Sequence, residues 1–161
     1  DWSISSYKKV STFDTLEDCI TLIENINKEI VEKCMLFIMK NNIKPIWEDP
    51  ENSKGGCISY KITTEYVYDV WKKLNYYLIG ETLINDKTIL DNINGISISP
   101  KKNFCIIKLW IANTDELKKN EIYNELTSPN LENEKTDPFK IDILCNIEKQ
   151  HCLYKQHEIL Y

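Results

Sequence analysis

The chain has 161 residues, of which 42% are hydrophobic and 28% are charged, and its formal net charge is −5. This length and balance predict a single folded domain, residues 1–161, with room for a substantial core. The acidic net charge excludes bulk binding to nucleic acid, which needs a broad basic surface, so any phosphate site must be local.

The first half of the chain predicts two helices and two strands. Apolar residues recur at helical spacing after a cap at Asp14 or Thr15, which predicts a helix to about Asn27. Residues 34–39 form a short apolar run that is typical of a buried strand, and residues 56–63 alternate as a second strand. A second amphipathic helix is predicted over residues 64–80, where Gly80 ends it.

The second half predicts a hairpin, a third helix and a last strand. Residues 95–99 and 104–111 are strand candidates joined by the turn Pro100-Lys101-Lys102-Asn103. Thr114 is expected to cap the third helix, and residues 139–144 are predicted as a strand. Together these elements favour an α+β fold with helices on one face of an antiparallel sheet. The other face is left free to curve around a ligand.

The cysteine pattern indicates reduced thiols. The chain has six cysteines and no C-x-x-C pair. Cys145, His151, Cys152 and His157 have a spacing that matches no common zinc site, so we predict no metal and no cofactor. Both histidines are expected on the surface. With no signal peptide and no apolar run near the roughly 20 residues that span a bilayer, we expect a cytoplasmic monomer without a membrane partner.

One loop places an aromatic side chain directly beside a carboxylate. Trp47 and Glu48 lie between Pro45 and Pro50, and the pair Gly55-Gly56 closes the loop. An indole can stack on a nucleobase, while a carboxylate accepts the N1 and N2 hydrogens of guanine. Single-strand recognition combines stacking with such edge contacts. The loop is therefore a candidate guanine-binding site.

Several segments in order resemble the translation initiation factor 4E family, whose members bind the 7-methylguanosine cap of messenger RNA. The anchors are Thr12-Phe13-Asp14-Thr15-Leu16-Glu17-Asp18, Ile43-Lys44-Pro45-Ile46-Trp47-Glu48-Asp49 with Gly55-Gly56, Trp71 with Leu78-Ile79-Gly80-Glu81, Gly95, and Trp110. The resemblance runs from Trp2 to Leu144, and the segment after Asn146 has no aligned counterpart. It implies a curved antiparallel sheet with three helices on its convex face and the cap on its concave face.

The resemblance also implies roles for four residues at the cap base. Trp47 and Trp2 would stack on the two faces of the base, although Trp2 lies one residue further from Phe13 than the family usually places it. Glu48 would pair with the N1 and N2 hydrogens. Trp110 would touch the N7-methyl group.

The phosphate-binding residues depart from the family pattern. Lys101 aligns with a phosphate-binding arginine, but a family lysine is replaced by Ile106. Lys108 shares strand parity with Trp110 and is one substitute, and Lys102 is the other. A further family arginine is replaced by Cys57, and Lys149 or Lys155 are alternative sources of charge. The chain has no arginine, as an AT-rich coding sequence would produce, so lysine replaces the bidentate arginine fork everywhere.

The face that family members present to partner proteins departs further. Leu16 and Gly80 are retained, but the family tryptophan is Ile20, and two neighbouring leucines are Lys72 and Tyr76. A helical peptide from an initiation scaffold or a regulatory protein would meet an altered apolar patch, for which Leu16, Ile20, Tyr76 and Gly80 are the candidate contacts.

Several functions remain open at this stage. The first is non-enzymatic cap binding in translation initiation, with no catalytic residue. The second is a cap-sequestering repressor or specialised factor with altered scaffold binding. An enzyme acting on capped RNA would use Glu48, Asp49 and Glu51 to hold a divalent ion or as a general base. The last is an interaction domain whose pocket has decayed.

Overall fold

The computed structural model describes residues 3–127, 137–148 and 152–158. In chain order the helices and strands are α1 (Leu16–Asn25), α2 (Lys28–Lys33), β1 (Leu36–Met39), β2 (Gly56–Thr63), α3 (Thr64–Ile79), α4 (Lys87–Asp91), β3 (Ile93–Pro100), β4 (Phe104–Ile111), α5 (Thr114–Lys118), α6 (Glu121–Thr127), α7 (Ile141–Cys145) and β5 (Cys152–Gln156). Of the helices in these ranges, none is both long and apolar enough to cross a membrane.

The strands form one antiparallel sheet in the order β1-β3-β4-β2-β5. The predicted hairpin is present, and Lys101 N donates to Phe104 O across its turn (2.7 Å). Side chains alternate between the two faces, so Ile107 and Leu109 of β4 enter the core while Lys108 and Trp110 point to the other face. The predicted α+β class with a curved antiparallel sheet is confirmed.

The longest helix, α3, covers the core face of the sheet. Its buried stripe includes Trp71 and Leu74, which contact the apolar residues of β2 and β4. Helices α1 and α2 pack against α3. The Thr15 side chain caps α1 by accepting from Asp18 N (3.1 Å), one of the two caps predicted from the sequence. The opposite face of the sheet is thereby left for the loop and the aromatic residues described below.

The predicted third helix is divided into α5 and α6, and its cap differs. Asn113, not Thr114, caps α5, because its Oδ1 accepts from Asp115 N (2.8 Å) and Glu116 N (3.3 Å). Thr114 is buried instead, and its hydroxyl hydrogen-bonds the Tyr154 hydroxyl (2.6 Å). The helices α2 and α4 were not predicted, because each is shorter than the two turns that a periodicity needs to show.

The strand predicted over residues 139–144 is wrong, because this segment contains helix α7. The buried Asp137 organises its start, with carboxylate oxygens accepting from Phe139 N (3.0 Å) and Ile141 N (2.8 Å). Tyr60 of β2 donates its hydroxyl hydrogen to the same carboxylate (2.9 Å). Burial raises the pKa of Asp137, which these three hydrogen bonds oppose. A tertiary contact therefore overrides the alternation of apolar and charged residues that predicted a strand here.

Candidate functional site: an aromatic cluster at the edge of the helix-free face

The face of the sheet opposite α3 carries a line of aromatic rings. Trp110 is only 4% exposed, and its Nε1 donates to Ser97 Oγ (2.9 Å). Phe37 of β1 meets Trp110 edge-on with ring centroids 6.5 Å apart, and Tyr7 meets Phe37 at 5.2 Å. Trp110 is therefore locked in one orientation at one end of β4, where it forms the floor of the site.

Buried polar side chains fix the loop before β2. Asn52 is fully buried, and its Nδ2 donates to the carbonyl oxygens of Lys44 and Ile46 (2.9 Å each). Its Oδ1 accepts from Asn94 Nδ2 (2.9 Å). The Asp49 carboxylate accepts from two backbone N–H groups of the loop, at 3.0 Å each. The loop therefore has a defined shape, and Asp49 is used to maintain it.

Trp47 projects from this loop with 41% of its surface exposed. One face of its indole stacks on the ring of His157, with centroids 5.3 Å apart and an interplanar angle of 14°. His157 also meets Trp110 edge-on at 5.5 Å. With 8% exposure it is buried, so its prediction as a surface residue is wrong. The structure thus links Trp47 and Trp110 through a histidine that the sequence did not connect with them.

Strand β5 brings His157 to this place. It pairs with β2 so that Lys155 lies opposite Cys57, and His157 N donates to Gly55 O just beyond the pairing (3.0 Å). The sequence signal was weak, because only five residues form the strand and their burial alternates imperfectly. The buried Cys152 and Tyr154 are the only period-two cue for a strand in that short segment.

The hydrogen bonds of His157 define its tautomer. Nδ1 lies 2.9 Å from Asn52 O, which can only accept, so Nδ1 carries the hydrogen. Nε2 lies 3.3 Å from Cys57 Sγ. Burial raises the pKa of the Cys57 thiol to about 12, so the thiol donates and Nε2 accepts. Burial also lowers the pKa of His157, which favours the neutral ring.

Charged side chains flank the aromatic cluster. Glu48 is exposed, and its negative charge adds to burial in raising the pKa of Tyr7. The same charge acts on His157, which places Glu48 in the same electrostatic neighbourhood. Lys108 lies two residues from Trp110 on the same face of β4, a separation of about 7 Å along the strand. An aromatic surface and a cation therefore lie next to each other on this face of the sheet.

The other predicted site residues lie further away or outside the described ranges. Lys101 and Lys102 are exposed in the hairpin turn, and the six steps from Phe104 to Trp110 put this turn about 20 Å from Trp110. Lys155 is exposed on the edge strand. Trp2 and Lys149 lie outside the described residues.

A second concave surface lies on the helical side of the molecule. The predicted partner-binding residues Leu16, Ile20, Tyr76 and Gly80 come together in a groove of about 490 Å³, hereafter the helical groove. Its rim carries a polar network that the sequence did not predict. Tyr76 donates its hydroxyl hydrogen to Glu24, and Lys72 Nζ lies 2.8 Å from the same carboxylate.

The fold and the two surfaces define a class of protein: an α+β domain with an aromatic cluster on the sheet face opposite α3 and a groove between its helices. The family model described as "Eukaryotic initiation factor 4E" matches residues 1–158, and the chain belongs to this family. The resemblance found in the sequence is thereby confirmed.

Relatives and solved structures agree with this assignment. The chain is 34% identical to a eukaryotic translation initiation factor 4E homolog of Acanthamoeba polyphaga mimivirus over 107 residues, 58% of this chain and 39% of that protein. It is 29% identical to the translation initiation factor 4E of Saccharomyces cerevisiae over 113 residues, 68% of this chain and 52% of that protein. The chain thus matches about half or less of the length of these relatives.

Two solved structures share the fold. C. elegans eIF4E-3, in a complex with the 4E-binding protein Mextli and a cap analog, superposes with a TM-score of 0.70 at 22% identity, covering 93% of this chain and 79% of that one. Schistosome eIF4E, complexed with m7GpppG and 4E-BP, gives 0.69 at 22% identity, covering 96% and 78%.

Proposed function

We propose that this chain binds the 7-methylguanosine cap of messenger RNA in translation initiation, as a binding protein and not an enzyme. The observation that carries the proposal is the half-exposed Trp47, held beside the buried Trp110 and next to the exposed Glu48 on the open face of the sheet. Membership of the initiation factor 4E family supports it. The expected cytoplasmic location is part of the same proposal.

The chemistry of the cap fits this arrangement. Methylation at N7 makes the guanine positive, so stacking on an indole gains a cation–π contribution of about 0.5–2 kcal/mol. The stacked base itself contributes about 1–3 kcal/mol. Glu48 accepts the N1 and N2 hydrogens and complements the positive charge. Trp2 is proposed for the second face of the base, and Trp110 for the methyl group.

Lysines are proposed to bind the phosphates. Lys108 is the first candidate, because it shares a strand face with Trp110 and lies nearest to it. Lys101 and Lys102 would engage a more distant part of the RNA backbone. Without arginine forks each contact is a single point charge, so phosphate affinity should fall steeply with salt.

The hydrogen bonds of Asp49 within the loop favour binding over catalysis as the function of this site. Both carboxylate oxygens of Asp49 already accept backbone hydrogens within the loop. A divalent ion or a general base at the cluster of Glu48, Asp49 and Glu51 would have to break those bonds. The cluster therefore has two carboxylates at most for chemistry, and one of them, Glu48, is proposed to read the base.

Titration with 7-methyl-GTP and with GTP tests the proposed function. We expect tryptophan fluorescence to be quenched strongly by the methylated nucleotide only. Glu48→Ala should weaken binding about 10- to 100-fold, because it removes charge-assisted hydrogen bonds of about 1.5–3 kcal/mol. Glu51→Ala is the matched control, a nearby loop carboxylate whose change should have little effect. Equal responses to GTP and 7-methyl-GTP would refute the proposal.

The polar rim of the helical groove favours a second candidate function, a cap-sequestering repressor or specialised factor with altered scaffold binding. The apolar floor of the groove suits one face of an amphipathic helix, so we propose a scaffold or regulatory protein as the partner. The network of Glu24, Lys72 and Tyr76 occupies the rim where the family has leucines. A partner helix would have to desolvate these groups.

Binding of a scaffold-derived helical peptide separates the two candidates. For the repressor we expect weak binding to the wild type, and at least about tenfold tighter binding to the double variant Lys72→Leu with Tyr76→Leu, since desolvation of two polar groups is removed. Isothermal titration calorimetry gives both affinities. Tight binding to the wild type that is lost in Leu16→Ala would instead assign ordinary scaffold recruitment.

A further inference from the structure

We propose that His157 is a positioning residue for the stacking tryptophan, holding Trp47 from behind so that the opposite face of the indole receives the base. The inference rests on the proposed cap-binding function and assigns a role to a residue in the segment after Asn146. The resemblance read from the sequence ended before this segment, but the family model extends to residue 158 and includes it. It concerns a residue that touches Trp47 and not the ligand.

The near-parallel stack is the first support. A 14° angle between the rings and a 5.3 Å separation of their centroids are those of an offset stack, which fixes both the tilt and the position of the indole. A tryptophan on a loop tip would otherwise be free to change rotamer. His157 thus limits Trp47 to one orientation before any ligand arrives.

Exposure indicates which face of Trp47 is open. His157 is 8% exposed and therefore belongs to the interior, whereas Trp47 keeps 41% of its surface accessible. Since the histidine covers one indole face, the accessible surface belongs to the other face and the ring edge. This is the face that we propose for the ligand base.

The anchoring of His157 is the second support. Its backbone N donates to Gly55 O (3.0 Å), Nδ1 donates to Asn52 O (2.9 Å), and Nε2 accepts from the Cys57 thiol (3.3 Å). These bonds tie β5, β2 and the loop of Trp47 into one unit. A side chain that merely filled a vacant ligand site would not need three directed bonds to the protein.

The charge of the histidine matters because a second cation is expected across the indole. A neutral imidazole leaves the π-system of Trp47 available to the positive base, whereas an imidazolium would compete for it from behind. The titratable and charged groups around His157 are Cys57 from β2, Lys108 from β4, Glu48 from the loop and Lys155 from β5. Lys108 disfavours the imidazolium and Glu48 favours it.

A mildly acidic pH should therefore weaken cap binding through His157. Its folded pKa is lowered by burial, so the neutral ring is retained until the pH falls below the ordinary value of 6.5. Protonation then converts Nε2 into a donor and removes its bond from the Cys57 thiol. We expect the contribution of His157 to the affinity to be constant above that value and to decline as the pH falls through the lowered pKa.

Two variants of His157 test the inference, with 7-methyl-GTP as the probe. At pH 7.5 His157→Ala should bind about tenfold more weakly, since an aromatic contact is removed. His157→Phe keeps an aromatic ring but cannot titrate, so it should retain most of the affinity. As the pH is lowered from 7.5 to values well below 6.5, the ratio of wild-type to His157→Phe affinity should fall. The titration of the ligand is common to both proteins and cancels in this ratio.

Emission from Trp47 without ligand distinguishes failure of the inference from failure of the proposed function. The difference between each protein and its Trp47→Phe derivative isolates this emission. We expect a red shift and greater acrylamide quenching in His157→Ala, even if no nucleotide binds. Unchanged emission would overturn the positioning role. Tighter binding of 7-methyl-GTP to His157→Ala would overturn it as well, since His157 would then occupy the place of the base.

Discussion

Replacing Trp47 with Ala is expected to weaken 7-methyl-GTP binding by about 10- to 5,000-fold. The variant loses a stacked base worth about 1–3 kcal/mol and a cation–π contribution of about 0.5–2 kcal/mol. Some loss of stability should accompany the loss of affinity, because the variant also removes the stack on His157. Isothermal titration calorimetry is the appropriate measurement, since it does not depend on the fluorescence that the substitution removes.

Two further variants define the effect of Trp47. Trp47→Phe should lose less affinity than Trp47→Ala, because a smaller ring still stacks. Tyr66→Ala is the matched control, since Tyr66 is an aromatic residue of similar exposure (37%) on α3, away from the site. If Trp47→Ala bound 7-methyl-GTP as well as Tyr66→Ala did, the base would have to lie elsewhere, and the aromatic cluster would not be the cap site.

Replacing Gly55 with Ala is expected to destabilise the fold by about 3 kcal/mol or more, at the upper end of what overpacking costs. A Cβ atom at this position would lie 1.6 Å from Ile111 O and 2.9 Å from the carbonyl carbon of Ala112. Both neighbours are backbone, so no rotamer change can relieve the clash. In a chain of this size the midpoint of thermal unfolding should fall by about 6–12 °C.

The same substitution should also damage the site, because Gly55 O accepts from His157 N. Displacement of Gly55 would loosen β5 and with it the support of Trp47. Gly80→Ala is the control, since its Cβ atom would lie 3.0 Å from the nearest atom, Tyr76 O, and should cost far less. Equal unfolding midpoints for the two variants would contradict the close approach of the Gly55 loop to β4.

Strong local patterns in the sequence were sufficient for much of the fold. The bounds predicted for β2 and β4 agree with the structure, and α3 spans Thr64–Ile79 with Gly80 as its cap. These predictions are correct because each rests on a local signal. The signals are the alternation of apolar and polar residues in a strand, the apolar stripe of a long helix and the glycine that ends a helix. The prediction for segment 139–144 fails because its apolar residues alternate with Lys140 and Asp142 as in a strand. The buried contact between Asp137 and Tyr60 selects a helix instead.

The residues of the candidate site also fall into two groups, those that local sequence patterns predict and those that only distant contacts bring into place. Trp47 and Glu48 were identified because their residue types and their loop context already suit a guanine base. His157 was missed because its partner Cys57 lies 100 residues away in the chain, and only the pairing of β5 with β2 brings them together. The network of Glu24, Lys72 and Tyr76 was missed for the same reason, since it joins α1 to α3.

The sequence by itself determined the family, the α+β class and the loop that carries Trp47 and Glu48. Each of these is a local pattern, or a series of local patterns in a fixed order. Only the tertiary structure decided that His157 holds Trp47 and that Glu24 joins Lys72 and Tyr76 at the rim of the helical groove. These features depend on strand register and helix packing between distant segments, and no local period of the chain encodes them.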